Sequence, residues 1–92
     1  MRATVVGLVT PHLLRIVALA NDAEKAINVD WHVRDTVART MAELSDQYNA
    51  TALVSAYIEG LENAAGQAPR IRGAYINTLQ AAAAAARSLR RD

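Results

Sequence analysis

The fold is decided by a stretch near the end of the chain, PRIRGAYINTLQAAAAAARSLRRD (residues 69–92). Its centre holds six consecutive alanines, Ala81–Ala86, and its end is rich in arginine. Alanine has the highest helix propensity, and its small side chain lets another helix approach closely. The stretch therefore predicts one long, Ala-rich C-terminal helix that packs against other helices instead of holding a reaction centre.

Apolar residues recur along this predicted helix at the spacing of a coiled-coil seam, from Tyr75 to Leu89. Nearly every direction around the alanine tract is small and apolar, so we expect part of the helix surface to contact a second protein. The alternative is that the alanines are exposed and serve helix propensity alone. The predicted protein interface consists of Tyr75, Leu79, Ala82, Ala83, Ala86 and Leu89.

A first helix is predicted from a start signal in the N-terminal part of the chain. Thr10 is the predicted N-cap and Pro11 the first helical residue, because proline needs no N–H partner at that position. This helix is expected to reach about Ala26. Residues 4–9 before it fit either a helical turn or a short strand.

Two further helices are predicted in the middle of the chain. One begins at Asp30 as N-cap and runs to about Tyr48, and the next covers residues 50–65 and stops at a left-handed Gly66. If Asn49 does not break the chain, the two are one continuous rod. The predicted inner faces are Val33, Val37, Met41, Leu44 and Tyr48 in the first and Leu53, Val54, Tyr57, Ile58 and Leu61 in the second.

The connections between these segments are short, so neighbouring helices are predicted to lie antiparallel. Residues 1–92 thus form a single helical domain, an all-α, small antiparallel three- or four-helix bundle. A chain of 92 residues buries only about 60–65% of its unfolded surface. Self-association is therefore a natural source of additional stability.

Composition argues against catalysis. The chain has no cysteine and only two histidines, and we expect His12 to be exposed in a first helical turn. No glycine-rich phosphate loop or nucleophile motif occurs. We therefore expect no enzyme activity, no metal and no cofactor. The best metal candidates lack the Glu-x-x-His signature of di-iron bundles; they are the pairs His32/Asp35 and Glu59/Glu62.

The apolar run over residues 3–20 has features of a signal peptide or a membrane span. Ala18-Leu19-Ala20 imitates a cleavage site. However, Pro11, His12 and Arg15 interrupt the run, and ionisable side chains are costly inside a bilayer. We expect a cytoplasmic protein with no membrane partner.

The net charge of +1 is unevenly distributed. Residues 22–62 hold eight acidic and three basic residues, a net charge of −5, whereas residues 63–92 have a net charge of +4. Opposite poles favour ordered assembly or a charged partner. The side chains predicted to contact an acidic partner or phosphates are Arg70, Arg72, Arg87, Arg90 and Arg91.

Nucleic-acid binding is the main alternative function. Arginine suits bidentate contacts with phosphates, although basic residues at a helix C-terminus also complement the helix dipole. A strand at residues 4–9 followed by two helices would have the outline of a ribbon-helix-helix dimer. The isoelectric point near 8.2 is low for a DNA-binding domain.

These patterns favour a small protein-binding regulator, adaptor or inhibitor that acts through a helix-docking surface as a homodimer. The expected mechanism is occlusion or scaffolding, in which a preorganised helical face covers the surface of another protein. The abundance of alanine and arginine is typical of bacterial or phage proteins from GC-rich genomes.

Overall fold

The computed structural model of this protein describes residues 2–90. Four helices pack around one apolar core: α1 (Arg2–Glu24), α2 (Asp30–Ser45), α3 (Ala50–Gln67) and α4 (Gly73–Leu89). No strand occurs in this part of the chain. The prediction of an all-α fold of packed helices is confirmed, with four helices. The antiparallel order of neighbouring helices stays a prediction.

Helix α1 begins well before the predicted start at Thr10. Pro11 lies inside it. Because proline has no N–H, the carbonyl of Gly7 lacks its helical hydrogen-bond partner. The Thr10 hydroxyl does not cap the helix but donates to the Val6 carbonyl at 2.7 Å. Residues 4–9 are therefore helical, and a ribbon-helix-helix arrangement lacks its strand within residues 2–90.

The chain leaves α1 through a left-handed residue, but that residue is an alanine. Ala26 has a φ of 63° and follows the last turn, where its N–H donates to the Ala23 carbonyl at 3.2 Å. Gly66 was the predicted left-handed stop; it lies within α3, and no described glycine has a positive φ. This prediction was wrong because a glycine near a helix end permits a left-handed stop without requiring one.

The inner faces of α2 and α3 follow the predicted helical period. Residues 46–49 separate the two helices, so the continuous rod is excluded. Tyr48, predicted to be on an inner face, lies in this connection and is fully exposed. The other predicted inner residues are buried: Val33, Val37, Met41, Leu44, Leu53, Val54, Tyr57, Ile58 and Leu61.

Helix α4 starts at Gly73 and not at Pro69. Proline restricts the residue before it to extended conformations, and Ala68 is extended with φ −75° and ψ 144°. Residues 69–72 then form a turn in which the Arg72 N–H donates to the Pro69 carbonyl at 2.9 Å. With 17 residues against 23 in α1, α4 is not an especially long helix.

The alanine-rich helix α4 contacts each of the other three helices. Leu79, Ala82 and Ala86 have no exposed surface at all. Small side chains at these positions let the neighbouring helices approach α4 closely. The side of α4 that carries the coiled-coil spacing is therefore the centre of the protein's own core.

We expect Ala26→Gly to raise the free energy of unfolding by about 1 kcal/mol, because a left-handed residue with a Cβ atom costs about 1–2 kcal/mol. The same substitution at Ala84, an exposed position inside α4, should lower it by about 1 kcal/mol. Urea unfolding followed by circular dichroism measures both. A loss of stability in both variants would contradict the left-handed conformation of Ala26.

Candidate protein-docking surface

Helix α1 is apolar on the side that faces solvent as well as on the side that faces the core. Its inner side buries Val9, Ile16 and Ala20. Its outer side is exposed, with Leu8 at 53% and Leu14 at 60% of full exposure. A helix that is apolar all round is usually covered on more than one side. We call the uncharged exposed residues of this side the outer stripe; Arg15 is an exposed charged residue next to them. The outer stripe consists of Thr4, Gly7, Leu8, Pro11, Leu14 and Ala18.

By length and composition alone, residues Thr4–Glu24 would suffice to cross a membrane. Core helices of soluble proteins and N-terminal signal sequences meet the same criterion. Only 17% of the most apolar window of this segment is buried. Five further apolar residues of α1 are partly buried against the core, namely Val5, Leu13, Val17, Leu19 and Ala23.

A groove of about 740 Å³ runs between α1 and α3 and extends the outer stripe sideways. Thr4 belongs to both, and Val6, which is 48% exposed, lines the groove. Gly60 lets the helices approach here, because a Cβ atom at this position would lie 2.6 Å from Cδ1 of Leu13. Glu59 is the charged residue of its lining.

Most of the residues predicted to form a protein interface on α4 are buried inside the bundle. Five of them are buried against the chain's own helices, namely Tyr75, Leu79, Ala82, Ala83 and Ala86. Leu89 is 48% exposed at the end of α4. A second protein could reach the five buried residues only by displacing the other helices of the bundle.

Arg72, a predicted phosphate contact, is held by the end of α1. Its guanidinium donates to both carboxylate oxygens of Glu24 at 2.6–3.2 Å and to the Asn21 side-chain oxygen at 2.9 Å. The guanidinium also lies 3.8 Å above the ring of Tyr75. Bidentate pairing and stacking are the preferred contacts of arginine. This cluster, the Arg72 clamp, connects the turn before α4 to α1.

Of the other arginines predicted to contact an acidic partner or phosphates, those that the structure describes lie in the turn before α4 and at the end of α4. Arg87 donates two hydrogen bonds to a Glu62 carboxylate oxygen, at 2.6 and 3.0 Å. Arg70 is exposed in the turn before α4, and Arg90 lines a groove beside Met41. Arg91 lies outside the described residues. The acidic and basic segments of the sequence therefore pair with each other inside the chain.

A polar cluster lies where α1, α2 and α3 meet, and it contains His12. The imidazole is not exposed as predicted; its side chain is only 14% exposed. Nδ1 of His12 lies 3.2 Å from a terminal guanidinium nitrogen of Arg15, and Nε2 lies 3.9 Å from the Glu43 carboxylate. The ring also meets Tyr57 edge-on, with 6.5 Å between ring centroids.

Tyr57 is fully buried beside this cluster, and its hydroxyl has no hydrogen-bond partner in good geometry. Burial raises the pKa of the Tyr57 phenol above 10.0, while the nearby Thr40 hydroxyl and the Arg15 charge act in the opposite direction. Within residues 2–90, no three His, Asp or Glu side chains come together as metal ligands. The cluster is a polar junction of three helices.

Sequence reasoning missed both the outer stripe and the polar cluster. Interpreting Pro11 as the first helical residue removed the first two turns of α1 from the helical pattern. With these turns included, the period of 3.6 residues places Thr4, Gly7, Leu8, Pro11, Leu14 and Ala18 on one side. The burial of His12 leaves no such signal, because it depends on how three helices meet.

Tyr57→Phe is expected to raise the free energy of unfolding by about 1 kcal/mol, because a buried hydroxyl without a partner is desolvated at a cost. Tyr48→Phe is the matched control, since Tyr48 is fully exposed and its hydroxyl keeps its water. Urea unfolding at neutral pH measures both. A clear loss of stability in Tyr57→Phe alone would show that the hydroxyl is satisfied by a partner.

The variants Tyr57→Phe and Tyr48→Phe also test how the stability depends on alkaline pH. Because the pKa of Tyr57 is raised in the folded state, folding favours the neutral phenol. Wild-type stability should fall as the pH rises through this raised pKa, and Tyr57→Phe should lose this part of the pH dependence. Tyr48→Phe should retain it.

Glu24→Gln tests the Arg72 clamp. The hydrogen bonds from Arg72 lower the pKa of the Glu24 carboxyl below 4.5, so this carboxylate stabilises the folded state above pH 4.5 and loses its effect as the pH falls through the lowered pKa. The variant should lack this part of the acid dependence in urea titrations. Glu59→Gln is the control; a loss of equal size there would contradict a specific role for Glu24.

No protein-family model matches this chain, and no curated protein or solved structure matches it either. The contacts and exposure of the residues themselves are therefore the basis for a function.

Proposed function

We propose that this protein is a small helical protein-binding module that docks through the outer stripe of α1, with a second copy of the chain as its first partner. The observation that carries this proposal is the exposure of Leu8 and Leu14, at 53% and 60%, on a helix that already buries its other side. Exposed large apolar side chains on one side of a helix are typical of an interface.

The spacing of the outer stripe fits a twofold symmetric pair. Leu8 and Leu14 lie three residues on either side of Pro11, and Thr4 and Ala18 lie seven residues on either side. If two copies of α1 cross antiparallel at Pro11, Leu8 of one copy lies at the same height along the interface as Leu14 of the other. An interface of this kind is isologous and closes as a dimer.

Gly7 and Arg15 are also symmetric, four residues on either side of Pro11. The position of a Cβ atom at Gly7 has nothing within 4 Å. This space accommodates the aliphatic stem of Arg15 from the other copy while its guanidinium stays turned toward His12. A bulky residue at position 7 would separate the two helices at this point.

Two alternatives have less support. Nucleic-acid binding needs free basic side chains, but Arg72 and Arg87 are paired with Glu24 and Glu62. Insertion of α1 into a bilayer would expose His12 and Arg15 to lipid and cost free energy. The protein-docking proposal fits a cytoplasmic regulator, adaptor or inhibitor that is built from antiparallel helices and has no enzymatic activity. The dimer would present its remaining surface to another protein.

Leu14→Glu is expected to raise the dimer dissociation constant at least about a hundredfold, because the carboxylate would be buried in an apolar contact. Leu89→Glu is the matched control: Leu89 is 48% exposed but lies outside the outer stripe, so this variant should remain dimeric. Analytical ultracentrifugation gives the mass in solution, and circular dichroism confirms that both variants are folded.

The proposal is contradicted if the wild type is a monomer at high concentration, or if Leu14→Glu dimerises as tightly as the wild type. A monomer that co-sediments with phosphatidylcholine vesicles would assign the outer stripe to a bilayer. Ala82→Glu does not test the interface, because Ala82 is part of the core and its replacement would unfold the protein.

A further inference from the structure

We propose that protonation of His12 weakens docking through the outer stripe, so that the protein associates while this imidazole is neutral and dissociates when it is charged. This inference rests on the proposed function, because it concerns the regulation of the same surface. It starts from the position of His12, whose side chain belongs to the polar cluster while its nearest cation, Arg15, projects from the docking side of α1.

The contact between His12 and Arg15 fixes the neutral imidazole. A guanidinium only donates hydrogen bonds, so Nδ1 of His12 has to accept from Arg15 across the 3.2 Å between them. The ring proton is then on Nε2, which lies 3.9 Å from the Glu43 carboxylate. In this state the Arg15 guanidinium is held beside the His12 ring.

Protonation of His12 removes this acceptor. Nδ1 then carries a hydrogen that points at the N–H groups of Arg15, and two cations lie next to each other. Glu43 from α2 stabilises the imidazolium at Nε2, so Arg15 is the group that moves. Tyr57 faces the ring from α3 and, as a buried neutral phenol, supplies no charge to hold Arg15 in place.

The released guanidinium disturbs the outer stripe. Arg15 follows Leu14 directly and is one helical turn from Pro11 and Ala18, so its charged end spreads over the area where the second copy would pack. A charge in an apolar contact must either lose its water or separate the two helices. By linkage, association and deprotonation of His12 favour each other by the same factor.

The test uses the full chain and measures the dimer dissociation constant by ultracentrifugation at about pH 8 and about pH 5, since histidine changes charge in this range. In the wild type the constant should be at least about fivefold larger at the lower pH. In His12→Gln it should be the same at both, because glutamine accepts a hydrogen bond from Arg15 and does not titrate. His32→Gln, which changes the other histidine, beside Trp31, should keep the wild-type ratio.

Arg15→Met provides a second variant if His12→Gln does not fold. It keeps an aliphatic stem and removes the cation, so its dimer should also be insensitive to pH. A wild-type dimer with equal dissociation constants at both pH values would overturn the inference and leave the proposed function intact. So would a pH dependence that persists in Arg15→Met or disappears in His32→Gln. A monomer at both pH values would overturn the proposed function, and this inference with it.

Discussion

Burial of the alanine-rich side of α4 is the contact on which the rest of the structure depends. Leu79, Ala82 and Ala86 are completely covered, and α4 contacts all three other helices. Small side chains allow close packing, but each buries little apolar area. The bundle therefore depends on larger residues of α2 and α3 for most of its core, and the side of α4 with the coiled-coil spacing is fully used inside the protein.

Charged residues of the chain also pair with each other within the protein. Acidic residues of α1 and α3 pair with arginines at the two ends of α4. Glu24 pairs with Arg72, and Glu62 pairs with Arg87. These pairs are partly exposed, so each contributes little stability by itself. Their consequence is positional: they attach both ends of α4 to neighbouring helices, and they reduce the basic surface that a phosphate backbone would need.

The sequence predicted the parts of the fold that depend on local period. The inner faces of α2 and α3 follow from apolar residues every three to four positions, because a helix with one polar side can bury only the other. The predicted start of α1 was wrong because proline favours the first turn of a helix, whereas α1 continues through Pro11 without the hydrogen bond to Gly7. Ala26 was missed because propensity assigns the left-handed conformation to glycine.

The candidate site was harder to predict than the fold because it depends on how the helices pack against each other. An apolar stripe on α1 is visible in the sequence, but which of its two apolar sides faces solvent depends on the contacts with α3 and α4. The placement of His12 depends on three helices at once, since Arg15, Glu43 and Tyr57 come from separate turns or helices. Such a junction follows from tertiary packing and has no signature in spacing.

His12 lies at the boundary between the core and the surface, and this position gives it a role that neither region would supply alone. In the core, an imidazole without polar partners would stay neutral over a wide range of pH. On a solvated face, its charge would change without moving a neighbour. Between Arg15 and Glu43, the gain of one proton at His12 exchanges one partner for the other. The partner that is released, Arg15, belongs to the helix that carries the outer stripe. A change in charge at the junction is thereby converted into a change at the docking surface.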